Sequence, residues 1–153
     1  MNTTQDKSMG FSLIEMMITL AILAIIVSFA IPVYLRYTEN TRLTQARTVI
    51  SQIQQDIHSV KLIEGSLGGD NTAIVSKVTS ILENNKSKSI INQNELNHFY
   101  AFNVVAGSST GQYFFNVTPI DTSKKGLYMD QSGNAFKCPS AAEVSSHSGC
   151  EKM

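Results

Sequence analysis

A long apolar run near the N-terminus dominates the pattern of hydrophobic and polar positions. It extends from Met16 to Leu35 and contains twenty residues without a charge. A helix rises about 1.5 Å per residue, so this run would span roughly 30 Å, the thickness of the hydrocarbon core of a bilayer. Glu15 directly precedes the run. A charge there costs on the order of 2.5–3.5 kcal/mol in a membrane, so the pattern predicts a membrane-spanning helix whose carboxylate has a partner or a function.

Helical periodicity continues after the apolar run. Charged residues appear from Arg36 onward, and apolar residues recur mostly every three or four positions, which indicates one apolar stripe on a helix. Residues 11–61 are therefore predicted to form one helix of roughly 75 Å, with a kink near Pro32, which removes a backbone hydrogen bond. A small domain cannot bury such a helix, so lipid or further copies must cover its first half. The stripe consists of Ala46, Val49, Ile50, Ile53, Ile57 and Val60.

The pattern becomes polar between residues 62 and 97. A short amphipathic helix is predicted over residues 74–82, capped at its N-terminus by Asn71 or Thr72, and the rest of this stretch is predicted to be loop. The apolar positions of the short helix are Ile74, Val75, Val78, Ile81 and Leu82.

Residues 98–138 contain four short runs that are typical of strands. Apolar and polar side chains alternate in residues 98–106 and 112–120, and two shorter runs follow. These runs predict a four-stranded antiparallel sheet whose apolar face packs on the stripe of the long helix, an α+β fold. The positions that alternate onto one face are Tyr100, Phe102 and Val104 in the first run and Tyr113, Phe115 and Val117 in the second. Leu127 and Met129 mark the third strand, and Phe136 and Cys138 mark the fourth.

The C-terminal residues 139–153 contain few apolar side chains and are predicted not to fold onto the core by themselves. Cys138 and Cys150 are the two cysteines of the chain. In an exported protein they are predicted to form a disulfide, closing a loop of about 13 residues that stabilises the fold by roughly 3 kcal/mol. Two free thiols would be expected in a cytosolic protein. Without neighbouring histidines the pair makes a poor zinc site, and no metal site is predicted.

The chemistry of the remaining residues argues against an enzyme. His58, His98 and His147 lack a cysteine or carboxylate at catalytic spacing, and the glycines form no phosphate-binding or dinucleotide motif, so no catalytic residue and no cofactor is predicted. The chain has 12 acidic and 12 basic residues, which gives no overall field that would attract nucleic acid. Unclustered lysines are typical of a solvated surface. They are Lys86, Lys88, Lys124, Lys125 and Lys137.

The N-terminus resembles that of a type IV pilin precursor, specifically of the type IVa kind. The resemblance lies in the sequence from Gly10 to Glu15, GFSLIE, which follows a short polar leader with Lys7 and precedes the apolar helix. It implies the pilin fold, and cleavage by a prepilin peptidase between Gly10 and Phe11, followed by N-methylation of Phe11. It also implies that Glu15 pairs with the N-terminal amine of a neighbouring subunit during assembly, whereas the alternative is that Glu15 reaches the head-group layer.

The resemblance further implies partners, location and domain organisation. The partners are other pilin subunits, the prepilin peptidase and an inner-membrane assembly platform. The subunit would lie in the inner membrane and then in an extracellular pilus, or fimbrium, that serves adhesion, aggregation, motility or DNA uptake. The expected segments are a leader (1–10), a transmembrane or filament-core helix half (11–35), an amphipathic half (36–61), a connecting loop (62–97), the sheet (98–138) and a disulfide-bounded loop (138–153).

Several alternatives to this interpretation remain. The N-terminal motif and the two cysteine-containing segments most resemble PilX-type minor pilins, and a major pilin or a pseudopilin of type II secretion are the other pilin-like possibilities. A membrane-anchored binding domain that does not polymerise is a possibility of another class. An ordinary signal peptide cut after Ala30 is disfavoured because the apolar run is too long, Glu15 interrupts it and Pro32 follows the cut closely.

Overall fold

A computed structural model describes residues 10–87 and 93–153. The chain divides into two compact units, one that ends at Thr38 and a second, here called the head, that comprises Glu39–Met153. Helix α1 runs over Leu13–Glu64 and continues through Pro32. The predicted long helix is thus confirmed, and the kink at Pro32 stays a prediction.

Within the head, α1 contributes one buried stripe to the core. Leu43 belongs to this stripe, although the sequence pattern began it at Ala46, and Val60 at the other end is only half-buried. The buried stripe therefore lies one turn nearer the N-terminus than predicted. Its members are Leu43, Ala46, Val49, Ile50, Ile53, Gln54 and Ile57.

Two further helices follow, α2 over Asn71–Ser87 and α3 over Gln93–Asn97. The stretch from residue 83 to 97 was predicted to be loop, but α2 continues through Ser87 and α3 occupies its C-terminal end, so this prediction is wrong there. Residues 88–92 lie outside the described part. The predicted caps of the short helix are also wrong. Asp70 caps α2, because its Oδ1 accepts a hydrogen bond from the amide of Ala73 at 2.8 Å.

The sheet has five antiparallel strands in the order β1-β2-β3-β4-β5. The four predicted strands are present, and the prediction of four strands in all is wrong. The fifth strand was missed because it has only two residues, both polar and exposed, and carries no alternating pattern. The strands are β1 Tyr100–Ala106, β2 Tyr113–Pro119, β3 Gly126–Asp130, β4 Ala135–Cys138 and β5 Glu151–Lys152.

The inner face of the sheet shares one hydrophobic core with α1 and α2. The inward positions predicted in β1 and β2 are confirmed: Tyr100, Phe102, Tyr113, Phe115 and Val117 are buried and Val104 is partly buried. In β4 the apolar side chains lie on both faces of the sheet. Ala135 is buried in the core, whereas Phe136 pairs with Tyr128 on the opposite, outer face.

The C-terminal residues also fold onto the sheet, contrary to the prediction. They form helix α4, Ala141–Ser146, whose Val144 is fully buried. The fit depends on Gly126 in β3, since a Cβ atom there would lie 2.4 Å from Cγ2 of Val144. One apolar side chain was too weak a pattern to predict this contact from the sequence.

Candidate processing and assembly segment, and surfaces of the head

The bond between Gly10 and Phe11 lies in accessible, non-helical backbone. Helix α1 begins at Leu13, and its first carbonyl acceptor is that of Ser12, which receives the amide of Met16 at 3.2 Å. Phe11 is 73% exposed, and apart from its chain neighbours nothing in the described part of the chain lies within 4 Å of the Cβ position of Gly10. This geometry leaves the bond open to a protease.

Glu15 lies in the first turn of α1, four residues after Phe11. Phe11 itself precedes the helix, so Glu15 is the third helical residue, about 3 Å along the axis from Leu13. Glu15 is exposed, and no basic side chain in residues 10–87 or 93–153 forms an ion pair with it. Any ion-pair partner of the Glu15 carboxylate therefore lies outside the described residues of this chain.

The apolar segment, residues 11–35, is uncovered within the chain. Its large apolar side chains are between 49% and 79% exposed, and α1 is long and apolar enough here to cross a membrane by length and composition. Apolar surface in water costs about 25 cal/mol per Å². The segment therefore requires lipid or other protein around it.

Polar contacts attach the first head turns of α1 to the sheet region. Oε1 of Glu39 accepts a hydrogen bond from the backbone amide of Lys125 at 2.9 Å, and the guanidinium of Arg42 lies 3.7 Å from the ring centre of Phe99. Tyr100 is buried beside them. Burial and the nearby Glu39 carboxylate raise the pKa of Tyr100 to about 12, with Arg42 opposing the shift.

A disulfide joins Cys138 to Cys150, as predicted. Within the loop that it closes, the Ser140 hydroxyl donates to the carboxylate of Glu143 and lowers the pKa of that group. Cys138 is fully buried, so the bridge ties the loop to the core at β4.

The structure brings together two of the five lysines considered above. Lys125 and Lys137 line one pocket of about 270 Å³ together with Glu151, whose carboxylate partly offsets their charge. Lys124 is exposed, while Lys88 lies outside the described residues. Within the part of the chain that the structure describes, the lysines named above do not form a continuous basic surface.

His147 belongs to an aromatic cluster on the outer face of the sheet, which sequence reasoning missed. Its ring centre lies 4.5 Å from that of Phe114 and 4.6 Å from that of Tyr128, and Tyr128 stacks on Phe136 at 4.8 Å. Burial lowers the pKa of His147. The available signal was the alternation that places Phe114, Tyr128 and Phe136 opposite the core-facing residues.

The described residues contain no group of three His, Cys, Asp or Glu side chains that could hold a metal ion. His58 lies on α1 and His98 follows α3, so the structure does not bring the three histidines together. Catalytic geometry is likewise not assembled around any of them within residues 10–87 and 93–153.

Comparison with known proteins first concerns the N-terminus. Residues 9–31 match the family described as the prokaryotic N-terminal methylation motif. A fimbrial protein of Neisseria meningitidis serogroup B (strain ATCC BAA-335 / MC58) is 31% identical over 90 residues, 59% of this chain and 51% of the relative. Two fimbrial proteins of Pseudomonas aeruginosa are each 41% identical over 56 residues, 37% of this chain and 36% of the relative. The chain thus spans about half, or less, of these relatives.

The fold is similar to that in the crystal structure of PilX, a minor type IV pilin of Neisseria meningitidis. The TM-score is 0.54 and the identity is 22%, over 75% of this chain and 99% of that chain. At this level of identity the likeness concerns the fold, and it confirms the predicted long helix with an antiparallel sheet.

Proposed function

We infer that this chain is a type IV pilin subunit made as a precursor, since a methylation motif, fimbrial relatives and a pilin fold coincide in it. The observation that carries this function is the uncovered apolar segment directly behind the motif. A subunit that leaves the membrane must exchange lipid for an equally apolar environment, and the same segment of other subunits supplies one. The role is therefore structural rather than catalytic.

We propose that a prepilin peptidase cleaves between Gly10 and Phe11 and that Phe11 is then N-methylated. The exposed non-helical backbone at this bond supports the proposal. Cleavage removes the polar leader and places a new amine at the end of the apolar helix. The precursor would be held in the inner membrane and passed to an assembly platform there.

Glu15 is proposed to pair with the N-terminal amine of a neighbouring subunit. A carboxylate and an ammonium group are each costly in an apolar environment, and pairing offsets both costs. Apolar helices alone slide along one another easily, so this pair would also fix the axial register between subunits. The lack of an ion-pair partner for Glu15 within its own described chain supports this role.

Among pilin subunits, a minor pilin is the proposed type. The separation of 12 residues between Cys138 and Cys150 is short, and the head shares its fold with a minor pilin. Adhesion or aggregation would then depend on surfaces of the head.

Quantitative mass spectrometry of sheared, purified pili tests the proposal. We expect a subunit that begins at methylated Phe11 and is present at a small fraction of the main subunit. A product that begins at Met1, or at Ile31 after a cut behind Ala30, and that is never recovered with pili would contradict filament assembly and favour a membrane-anchored binding domain. Recovery of this chain as the main subunit would contradict its assignment as a minor pilin but not its assembly into pili.

A further inference from the structure

The head contains a cleft of about 490 Å³ beside the C-terminal end of α1. Pockets that bind small molecules commonly measure about 300–1,000 Å³ and combine apolar walls with a few polar groups. This cleft has that mixture, since α1, the start of β2 and the turn between β3 and β4 all line it. The residues that matter for recognition are Ile57, His58, Lys61, Tyr113, Gln131 and Ser132.

Tyr113 is a buried residue whose hydroxyl group has no hydrogen-bond partner among the described residues. The residue is 6% exposed and lines the cleft, and no group in residues 10–87 or 93–153 forms a hydrogen bond with its hydroxyl. Nearly all buried polar side chains in proteins are hydrogen-bonded, so an exception requires an explanation. A phenol is already protonated at neutral pH, and burial raises the pKa of Tyr113 further, so its hydroxyl can donate a hydrogen bond. A ligand oxygen in the cleft would satisfy it.

Two basic side chains line the cleft. They are His58 and Lys61, which are exposed and form no hydrogen bond or ion pair within the described part of the chain. The partial negative charge at the C-terminal end of α1 would account for Lys61 alone. It does not account for a second basic side chain and an unpaired hydroxyl in the same cleft.

The carboxylates in the neighbouring described segments make contacts other than with Lys61. Glu64 pairs with Lys77, Asp70 accepts a hydrogen bond from the amide of Ala73, and Asp130 accepts one from the amide of Asn134. Lys61 therefore has no ion-pair partner among the described residues, and its ammonium group is available to a ligand in the cleft.

Ser66, Leu67 and Gly68 of the loop after α1 also line the cleft. The Tyr113 hydroxyl, the Lys61 ammonium and the His58 ring can each donate a hydrogen bond, which favours an oxygen-rich ligand.

We propose that this cleft binds a small hydroxylated organic anion, of the size of an acidic monosaccharide. Its acid group is held by Lys61 and His58, and one of its oxygens accepts the hydrogen bond of the Tyr113 hydroxyl. Gln131 and Ser132 are suited to its hydroxyl groups, and Ile57 packs against its apolar side. A carboxylate or a phosphate would meet the same basic groups, so the two acids form separate arms of the test.

Isothermal titration calorimetry on the full-length chain in detergent micelles tests the site. The probes are glucuronate, glucose 6-phosphate and uncharged glucose. We expect saturable binding of at least one acid and weaker binding of glucose. Lys61→Gln should weaken binding of the acid about tenfold or more, the typical effect of losing a hydrogen bond to a charged group. Lys124→Gln is the matched control, because it removes the same charge from an exposed position in the β2–β3 loop.

Tyr113→Phe separates ligand binding from fold stability. It should also weaken binding of the acid, while the thermal midpoint without ligand does not fall, because the lost hydroxyl had no partner in the chain. A lowered midpoint would overturn the proposal, as would affinity unchanged by both cleft substitutions. The proposal would also be overturned if neither acid bound saturably, or if glucose bound as tightly as the acids. None of these results bears on filament assembly, which depends on the N-terminal segment.

Discussion

The imidazole Nε2 of His147 donates a hydrogen bond to Oδ1 of Asn116 across 2.8 Å. Asn116 is 7% exposed on β2, which lies between β1 and β3, and His147 ends α4 in a left-handed conformation with a φ of 53°. This conformation is uncommon for residues other than glycine. The contact therefore holds the end of the disulfide-bounded loop against the outer face of the sheet.

Mild acid should destabilise the head through His147. Its pKa is lowered in the folded state, so the unfolded chain binds the proton more readily. The stabilising contribution is present above the ordinary pKa of about 6.5 and is lost as the pH falls below it towards the folded value. Chemical denaturation at neutral pH and at about pH 5 should show a loss of stability that is smaller in His147→Gln.

His58→Gln is the control for this titration, because His58 is exposed on α1. It should keep the full pH dependence of the natural chain. Equal pH dependence in the His147→Gln variant would mean that other groups cause it.

Gly126→Ala should destabilise the head by about 1–3 kcal/mol, the usual cost of overpacking a core. The added Cβ would lie 2.4 Å from Cγ2 of Val144 and 2.9 Å from the carbonyl oxygen of Val117. Urea denaturation measures the loss, and hydrogen exchange should show α4 opening first. Gly69→Ala is the control, since nothing lies within 4 Å of its Cβ position. Similar losses in both variants would refute the steric explanation.

Alkaline pH should destabilise the head through Tyr100. Its pKa is raised from 10.0 to about 12 by burial and by Glu39. The stabilising contribution is full below the unfolded value and is lost as the pH rises through the folded value. Ultraviolet titration of tyrosinate should therefore show one late, cooperative transition that Tyr100→Phe moves to higher pH; an unchanged transition would contradict this origin.

Glu15→Gln should leave a subunit that is processed and membrane-held but enters pili poorly. The amide keeps the size of the side chain and cannot neutralise the amine of a neighbour. Immunoblots of sheared pili and of membranes measure the ratio of assembled to membrane-held subunit in each variant. Glu95→Gln, an exposed acid in α3, is the control and should assemble normally. Normal incorporation of Glu15→Gln would refute the pairing role.

The sequence predicted the elements whose signals are local. The run from Met16 to Leu35 and the stripe after it indicated α1, because helical periodicity appears in consecutive turns. Alternation in β1 and β2 predicted both the strands and their buried faces, since neighbouring side chains in a strand point to opposite sides. Cys138 and Cys150 were paired correctly because the chain has no other cysteines.

Contacts between distant segments could not be predicted. The strand β5 exists only because β4 offers hydrogen-bonding groups to it, and α4 is placed by a single valine above a glycine. The environment of His147 combines residues from β2, β3 and the C-terminal loop. None of these contacts produces a periodic pattern of apolar and polar residues along the sequence.

By itself the sequence determined the apolar helix, the motif before it and the strand pattern, because each depends on interactions between neighbours along the chain. Tertiary structure alone decided which polar groups have no partner among the described residues and that the basic side chains of His58 and Lys61 line the same cleft. These properties depend on burial and on distances between segments remote in sequence, so they arise only once the core has formed.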